Sequence, residues 1–469
     1  MRRLCLYVLI FLLLLPSGCT HKTEPSEQTP EPQDHETAPA APEAGIYIPQ
    51  TDASAGMNDP DFWAALCDAP DEVRMTPEEI VAFNAEVLAD PETLCVDLDK
   101  YPDTLSRSEL KDAVETYGLY PDAARYTGAD RISGAQQGEI HQNLNLDGIG
   151  EQNAVRFGFS VRDCALRTWP SALPLYGEAN DVEYDLARES TLHTWERIVV
   201  LHISADGAWL LVQAYNYIGW VSAGDVALTD RQSWQALWEQ DFVMVRAPRL
   251  VLGGSAYDPQ TGGTVLTVGT RLPLTQATAA DNAGITSAYA VLLPMRGADG
   301  TLKTAVVRIP YGDDVCAGYA KFTERELLRQ VFRLLGQRYG WGGMFGGWDC
   351  SSLCADTYAV FGVRLPRNSS RQARVGASHD VSAASDEQKM ALLSDLRPGA
   401  LLELKGHMMF WLGVYEGKGY VIHSTHGFQN PGQDFYVANS VVVSSVDVLR
   451  SDGASILTNI RAVGTVENP

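Results

Sequence analysis

The sequence is poor in positive charge: 36 Lys and Arg stand against 59 Asp and Glu, a formal net charge of −23 at pH 7. So acidic a chain argues against nucleic acid or anionic lipid as the main partner, because both are polyanions held by Lys and Arg. Long apolar runs are scarce as well. Leu4 to Leu15 is an uninterrupted run of 12 residues, and nothing after it approaches the ~20 residues of a membrane-spanning helix. Cysteines number only eight. With 45% hydrophobic and 20% charged residues the chain is nevertheless globular, and 469 residues leave room for about three or four domains.

Arg2 and Arg3 precede the apolar run and Pro16-Ser17-Gly18-Cys19 closes it, the pattern of an export signal over residues 1–18. The ending resembles a bacterial lipoprotein signal, with Cys19 the lipidated residue, although Pro16 stands where Leu is usual. Loss of residues 1–18 removes two Arg and no acid, which leaves the chain more acidic still. Residues 19–57 are rich in Pro, Glu, Thr, Gln and Ala, with almost no aliphatic residue before Ile46. That composition describes a flexible tether that would let a folded body stand off a membrane. Outside the cytoplasm the remaining cysteines could pair, and Cys67 and Cys95, which flank one helical segment, are the first pair to consider.

From Asp59 to about Asn153 the pattern is helical. Thr76-Pro77-Glu78-Glu79 offers an N-cap, a proline at N1 and a capping-box Glu ahead of Ile80, Phe83, Val87 and Leu88, and Ser106 with Glu109 repeats the box. No chemistry is visible there, and the reading is a packing segment. From Val155 the texture is β: Ile198 to Ile203 and Trp209 to Val212 flank an Asp206-Gly207 hairpin signal. Tyr217-Ile218-Gly219-Trp220-Val221 closes this run, which resembles the bacterial SH3-type domains of cell-wall enzymes. A second β-rich stretch, about Phe242 to Tyr311, has similar size and turn density.

Chemistry concentrates after Thr323. Thr323 and Glu326 open a helix with Leu327, Leu328, Val331, Leu334 and Leu335 on one stripe. The loop Tyr339-Gly340-Trp341-Gly342-Gly343 follows, then Trp348-Asp349-Cys350-Ser351-Ser352-Leu353-Cys354, with Asp349 a suitable N-cap for a helix from Cys350 to Phe361. Cys350 in a first helical turn faces unpaired N–H groups and the helix dipole, which favour thiolate and an oxyanion nearby. A base must come from elsewhere. His407 opens a strand, Glu416 to Gly419 turn, and His423 lies on the returning strand. The even separation of the two His puts both on one face, where one imidazole can take the thiol proton and the other fix its tautomer. Cys350, Cys354, His407 and His423 could also compose a Cys₂His₂ zinc centre, but zinc does not need an Asp-Cys-Ser helix start. Neither a metal nor another cofactor is expected.

Tyr-x-Trp-Gly-Gly, Asp-Cys-Ser, Arg397-Pro398-Gly399, a strand His and a second His in an Ile-His-Ser context resemble the NlpC-type cysteine peptidases, papain-like-fold enzymes of bacterial cell walls. The resemblance covers about residues 318–469, and the upstream order is similar to that of γ-D-glutamyl-L-diamino acid endopeptidases. It implies Cys350 as nucleophile, His407 as base and His423 as orienting residue. It further implies that Asp349 and a Tyr of the SH3-type domain, here Tyr217, bind the free amine of a terminal L-Ala, with Tyr339 and Ser351 completing the substrate-binding set. Ser352 stands where the family usually has Gly, and the loop between the two His is longer than usual.

The expected fold is therefore α+β and multidomain. It comprises a signal (1–18), a lipidated Cys19 with linker (19–57), a helical stabilising segment (58–153), two small SH3-like β-barrels (154–233 and 234–317) and a papain-like, NlpC-type catalytic domain (318–469). The expected partners are peptidoglycan-derived muropeptides and, through Cys19, a membrane; nucleic acid is not among them. A catalytically inert wall-binding lipoprotein is the competing reading. An amidase or acyltransferase on the same fold is another, because a Cys–His–His arrangement does not choose the acyl group.

Overall fold

A computed structural model describes residues 51–116, 124–256, 258–276, 286–430 and 432–467. The expected signal, Cys19 and the linker up to residue 50 lie outside the described residues.

Local chemistry sets the first helix starts. The N-terminal part carries α1 (Pro60–Ala64), α2 (Pro77–Ala89), α3 (Arg107–Glu115) and α4 (Gly134–Asn143), with β1 (Thr104–Ser106) paired to β2 (Gln152–Ala154). Thr76 Oγ1 accepts from Glu79 N at 3.3 Å while Glu79 Oε2 accepts from Thr76 N at 2.7 Å, so the capping box read from sequence closes α2. Ser106 and Glu109 do the same for α3. Trp63, Ile80, Phe83 and Val87 are then buried in one core with Leu328, Leu353, Tyr358 and Phe410, which are remote along the chain. Arg74 locks that contact, donating to Pro398 O at 2.6 Å and to Glu467 Oε2 at 2.6 Å.

The Cys67–Cys95 bridge does not form; both thiols are free. Helix α2, roughly 20 Å long at 1.5 Å per residue, stands between their segments. Each sulfur instead donates to a nearby carbonyl, Cys67 to Trp63 O and Cys95 to Thr93 O.

A seven-stranded antiparallel sheet follows: β3 (Arg156–Ser160), β4 (Cys164–Arg167), β5 (Arg188–Leu192), β6 (Arg197–Ile203), β7 (Trp209–Gln213), β8 (Ile218–Ser222) and β9 (Val226–Thr229), in the order β5-β4-β8-β7-β6-β3-β9. The β6–β7 hairpin turns at Gly207, whose φ is +71°, as Asp-Gly requires. After α5 (Arg231–Glu239) come β10 (Phe242–Val245), β11 (Arg249–Val251), β12 (Val265–Thr267), β13 (Arg271–Pro273), β14 (Ala288–Arg296), β15 (Leu302–Pro310) and β16 (Val315–Ala317). These form a β13-β10-β16 sheet and the pairs β11–β12 and β14–β15. Val243, Leu272, Val291 and Ile309 share one core with Phe159 and Trp220 of the first sheet and Trp195 of its β5–β6 turn, and Trp195 Nε1 donates to Leu292 O at 2.7 Å. The two β regions are thus held by common apolar burial.

The C-terminal part runs α6 (Glu324–Phe332), α7 (Cys350–Ala359), α8 (Ser369–Gln372), β17 (Ala377–Asp380), α9 (Asp386–Ser394), β18 (Leu401–Leu404), β19 (His407–Tyr415), β20 (Lys418–Phe428), β21 (Tyr436–Ser445), α10 (Ile456–Asn459) and β22 (Ile460–Thr465). Its six strands are antiparallel in the order β17-β22-β18-β19-β20-β21. Alternation along β19 divides the sheet between two cores: Met408 and Phe410 pack with α6 and α7, Met409 and Trp411 with Leu393 of α9 and Ile456 of α10. Helix α7 ends at Ala359, and the chain turns away at Gly362, whose φ of +85° only glycine adopts readily.

Candidate active site

Asp349 caps α7, its Oδ1 accepting from Ser352 N at 2.9 Å. The same carboxylate takes Gly342 N at 3.0 Å, Ser351 Oγ at 3.1 Å, and both terminal nitrogens of Arg367, Nη2 at 2.5 Å and Nη1 at 3.2 Å. Burial would push this carboxyl up, but the Arg367 guanidinium outweighs it and holds Asp349 below the usual carboxylate range. Arg367 reaches on to Ser351 Oγ, Ser190 Oγ and Glu189 O, so it ties the start of α7 to strand β5. The amine-binding role expected of Asp349 is therefore not supported by its surroundings: the group is 5% exposed and both oxygens are taken by protein donors. Ser351 is in the same position, its hydroxyl donating to Asp349 and accepting from Arg367.

The glycine-rich loop explains how these segments come so close. Arg188 donates to Gly342 O and Gly343 O, and Thr191 Oγ1 to Gly342 O at 2.9 Å. A Cβ on Gly343 would lie 2.0 Å from Thr191 Oγ1, and both glycines have positive φ. Ser352, by contrast, is accommodated, its hydroxyl donating to Asp349 O at 3.2 Å.

Cys350 is buried at the first position of α7, with the N–H groups of Met408 and Ser351 directed at its sulfur. Burial, reinforced by the Asp349 charge, pushes the thiol up to about 12 against the pull of those donors. Desolvation here outweighs the partial charge at the helix end that favours thiolate. His407 Nε2 and His423 Nδ1 are 2.8 Å apart, and His423 Nε2 lies 3.1 Å from Ser444 Oγ. Burial drives His407 well below the usual imidazole value and His423 to about 3, so both rings are neutral at pH 7. The site thus holds a buried thiol and a neutral imidazole pair, His407 and His423, whose far end meets the Ser444 hydroxyl. Cys354 lies one turn on and is fully buried, away from this line.

Aromatic rings wall the cleft. Tyr184, from the loop before β5, packs against Tyr339, Trp341 and His426 at ring-centroid distances of 6.0, 6.0 and 5.7 Å. The Tyr339 hydroxyl makes no hydrogen bond to a described residue, and its titration is raised by burial and by Cys350 beside it. Tyr217 Oη donates to Glu189 Oε2 at 2.8 Å, next to the Arg367 cluster. Glu189, Arg367, Tyr184 and Ser444 were not read from sequence. Three lie in loops or strands whose partner is set only by the fold; Ser444 lies two residues beyond Val442, the partner of His423, and so on the same face as that imidazole.

Cys350 at the start of α7 and the hydrogen-bonded histidines of β19 and β20 thus lie in one α+β domain that follows the β-rich region. Residues 336–439 match the NlpC/P60 family and residues 174–222 match an SH3 domain of the SH3b1 type, so the chain carries an NlpC/P60 domain together with an SH3b domain. The chain is 27% identical over 240 residues to a gamma-D-glutamyl-L-lysine dipeptidyl-peptidase of Bacillus cereus (strain ATCC 10987 / NRS 248), covering 47% of this chain and 63% of that protein. It is 30% identical over 118 residues to the protein of the same description in Bacillus subtilis (strain 168), covering 24% of this chain and 36% of that one. The chain therefore spans less than two thirds of the length of either curated relative. The solved structure of an NlpC/P60 endopeptidase from Photobacterium damselae subsp. piscicida superposes with a TM-score of 0.70 at 18% identity, covering 91% of this chain and all of that one, and so shares its fold.

Proposed function

We propose that this chain is a cysteine endopeptidase that hydrolyses the γ-D-glutamyl-L-diamino acid bond of peptidoglycan stem peptides bearing a free N-terminal L-Ala, the diamino acid being diaminopimelate or Lys. The Cys350–His407–His423–Ser444 line carries the reading. His407 takes the Cys350 proton as sulfur attacks the γ-glutamyl carbonyl, with the Cys350 N–H and Tyr339 hydroxyl holding the oxyanion. His407 then protonates the departing amine of the diamino acid, and water, deprotonated by the same imidazole, releases the acyl group from sulfur. His423 keeps the base in one tautomer. The names of the two Bacillus relatives support the choice of bond.

The amine of L-Ala goes to Glu189 and Tyr217, a carboxylate–phenol pair at the SH3b edge of the cleft, rather than to Asp349, whose charge Arg367 already neutralises. An acetylated amine would leave Glu189 without its cation. Muropeptides already released from the wall are then the substrates, in turnover or recycling. The chain acts outside the cytoplasm, held to a membrane by a lipid on Cys19. Incubation with L-Ala-γ-D-Glu-diaminopimelate, free and N-acetylated, followed by mass spectrometry, tests this. Release of L-Ala-γ-D-Glu from the free peptide alone is expected, and full cleavage by Cys350→Ala would overturn it.

A further inference from the structure

A cavity of about 500 Å³ lies behind the loop that carries Cys350, bounded by β5, the turn before Ile218 and the outer side of α7. Cys350, His407 and Tyr339 do not line it. Its charges are nearly all spoken for within the protein. Asp163 accepts from Thr194 N and Thr267 Oγ1, Asp225 pairs with Arg162, and Asp356 holds His193 and Trp348 Nε1. Among the arginines, Arg188 is bound to the glycine loop, Arg197 to Asp99, Arg271 to Trp238 O and Gln240 O, and Arg367 to Asp349.

Two side chains on the wall remain, the Glu196 carboxylate and the Arg364 guanidinium. Neither side chain makes a hydrogen bond or close ion pair to a described residue; Arg364 faces the Tyr215 ring, 5.7 Å from its centroid, and attracts Glu196 at longer range. Burial pushes the Glu196 carboxyl above its usual range, against the longer-range pull of His193, Arg364 and Arg197. An anion alone would satisfy Arg364 and leave Glu196 worse off; a cation alone would do the reverse. A small molecule with both charges satisfies the two together, and the volume suits one of dipeptide size.

We infer that this cavity is a second binding site, for a zwitterionic amino acid or short peptide with free ends, its ammonium on Glu196 and its carboxylate on Arg364. The occupant would touch Trp348 and Ser352, which flank the Asp349-Cys350 corner. To test this, the full chain carrying Cys350→Ala is titrated calorimetrically with L-alanyl-glycine, its N-acetyl form and its C-terminal amide. Saturable binding is expected for the free dipeptide, weakened tenfold or more by either block. Glu196→Gln and Arg364→Gln should each weaken it tenfold or more, while Glu189→Gln, in the active-site cleft, leaves it unchanged. If either cavity variant loses its cooperative melting transition, Ala359→Leu narrows the cavity without touching a charge and should give the same loss. Absence of binding at millimolar dipeptide, binding that survives the cavity substitutions, or binding abolished by Glu189→Gln overturns the inference.

Discussion

Replacing Arg367 with Met should damage the protein more than any surface change, and in a pH-dependent way. The guanidinium is buried and pairs with a buried carboxylate at 2.5 Å. Breaking one side of such a pair costs about 3–5 kcal/mol, because the charge left behind remains out of water. Asp349 would keep Gly342 N, Ser352 N and Ser351 Oγ as donors, which places the loss toward the lower end of that range. In the parent chain the folded Asp349 carboxyl titrates below its unfolded value, so the stability it contributes is present above that unfolded value and lost as pH falls through the folded one. Without Arg367 burial dominates and the folded carboxyl titrates above its unfolded value. The deficit of Arg367→Met relative to the parent should then be largest near pH 7 and shrink as pH falls toward 4. Urea unfolding followed by tryptophan fluorescence measures both. Adding Asp349→Asn should cost much less than the sum of the two single changes, with a coupling of about 2 kcal/mol or more. A loss below about 1 kcal/mol for Arg367→Met, or additivity of the two changes, would refute the argument that this pair holds the start of α7.

The raised Cys350 thiol predicts alkylation by iodoacetamide that keeps accelerating up to pH 10; a plateau below pH 7 would mean a thiolate–imidazolium pair instead. His407 and His423, titrating below their unfolded values, contribute stability that is present above about pH 6.5 and lost as pH falls below it. His423→Asn should flatten that limb of the stability curve, and an unchanged limb would count against the buried neutral ring. Glu189→Gln and Tyr217→Phe should raise KM for the free tripeptide about 10- to 100-fold, as loss of a hydrogen bond to a charged group implies, with kcat altered far less; equal effects on an N-acetylated peptide would remove them from the amine pocket. Ser444→Ala should lower kcat by less than tenfold, since it touches the base only through His423.

What could be read from sequence was what short-range chemistry decides. The capping boxes at Thr76 and Ser106, the Asp-Gly hairpin and the Asp349 cap ahead of Cys350 each involve residues within a few positions of one another, and each forms as the spacing predicts. Failures came where the partner is remote or the medium matters. Asp349 reads as a free carboxylate until Arg367 and β5 are brought against it, and no spacing rule connects position 349 to position 189. Cys350 reads as an activated thiol because the helix dipole is visible in sequence, whereas the burial that outweighs it is a property of the packed domain. The same distance effect hid the Glu189–Tyr217 pair, although Tyr217 itself could be singled out.

The histidine pair was placed correctly by an argument that the observed turn would have broken. Glu416 and Gly417, with φ of +49° and +79°, make a two-residue turn that pairs Tyr415 with Lys418 and Val414 with Gly419. Across such a turn, residues on one face are separated by odd numbers, yet His407 and His423 are 16 positions apart. Continued unchanged, that ladder would send the two imidazoles to opposite faces of the sheet. The register instead shifts between Trp411 and Gly413, leaving Leu412 as the extra residue, so that Phe410 pairs with Ile422. In that new register His423 comes opposite Met409, two residues from His407 and on its face, and the 2.8 Å contact becomes possible. A one-residue bulge is thus what aims the base at its partner, in keeping with the tendency of bulges to re-aim side chains beside active sites. The even spacing in the sequence is the imprint of turn and bulge together, and neither alone would give it.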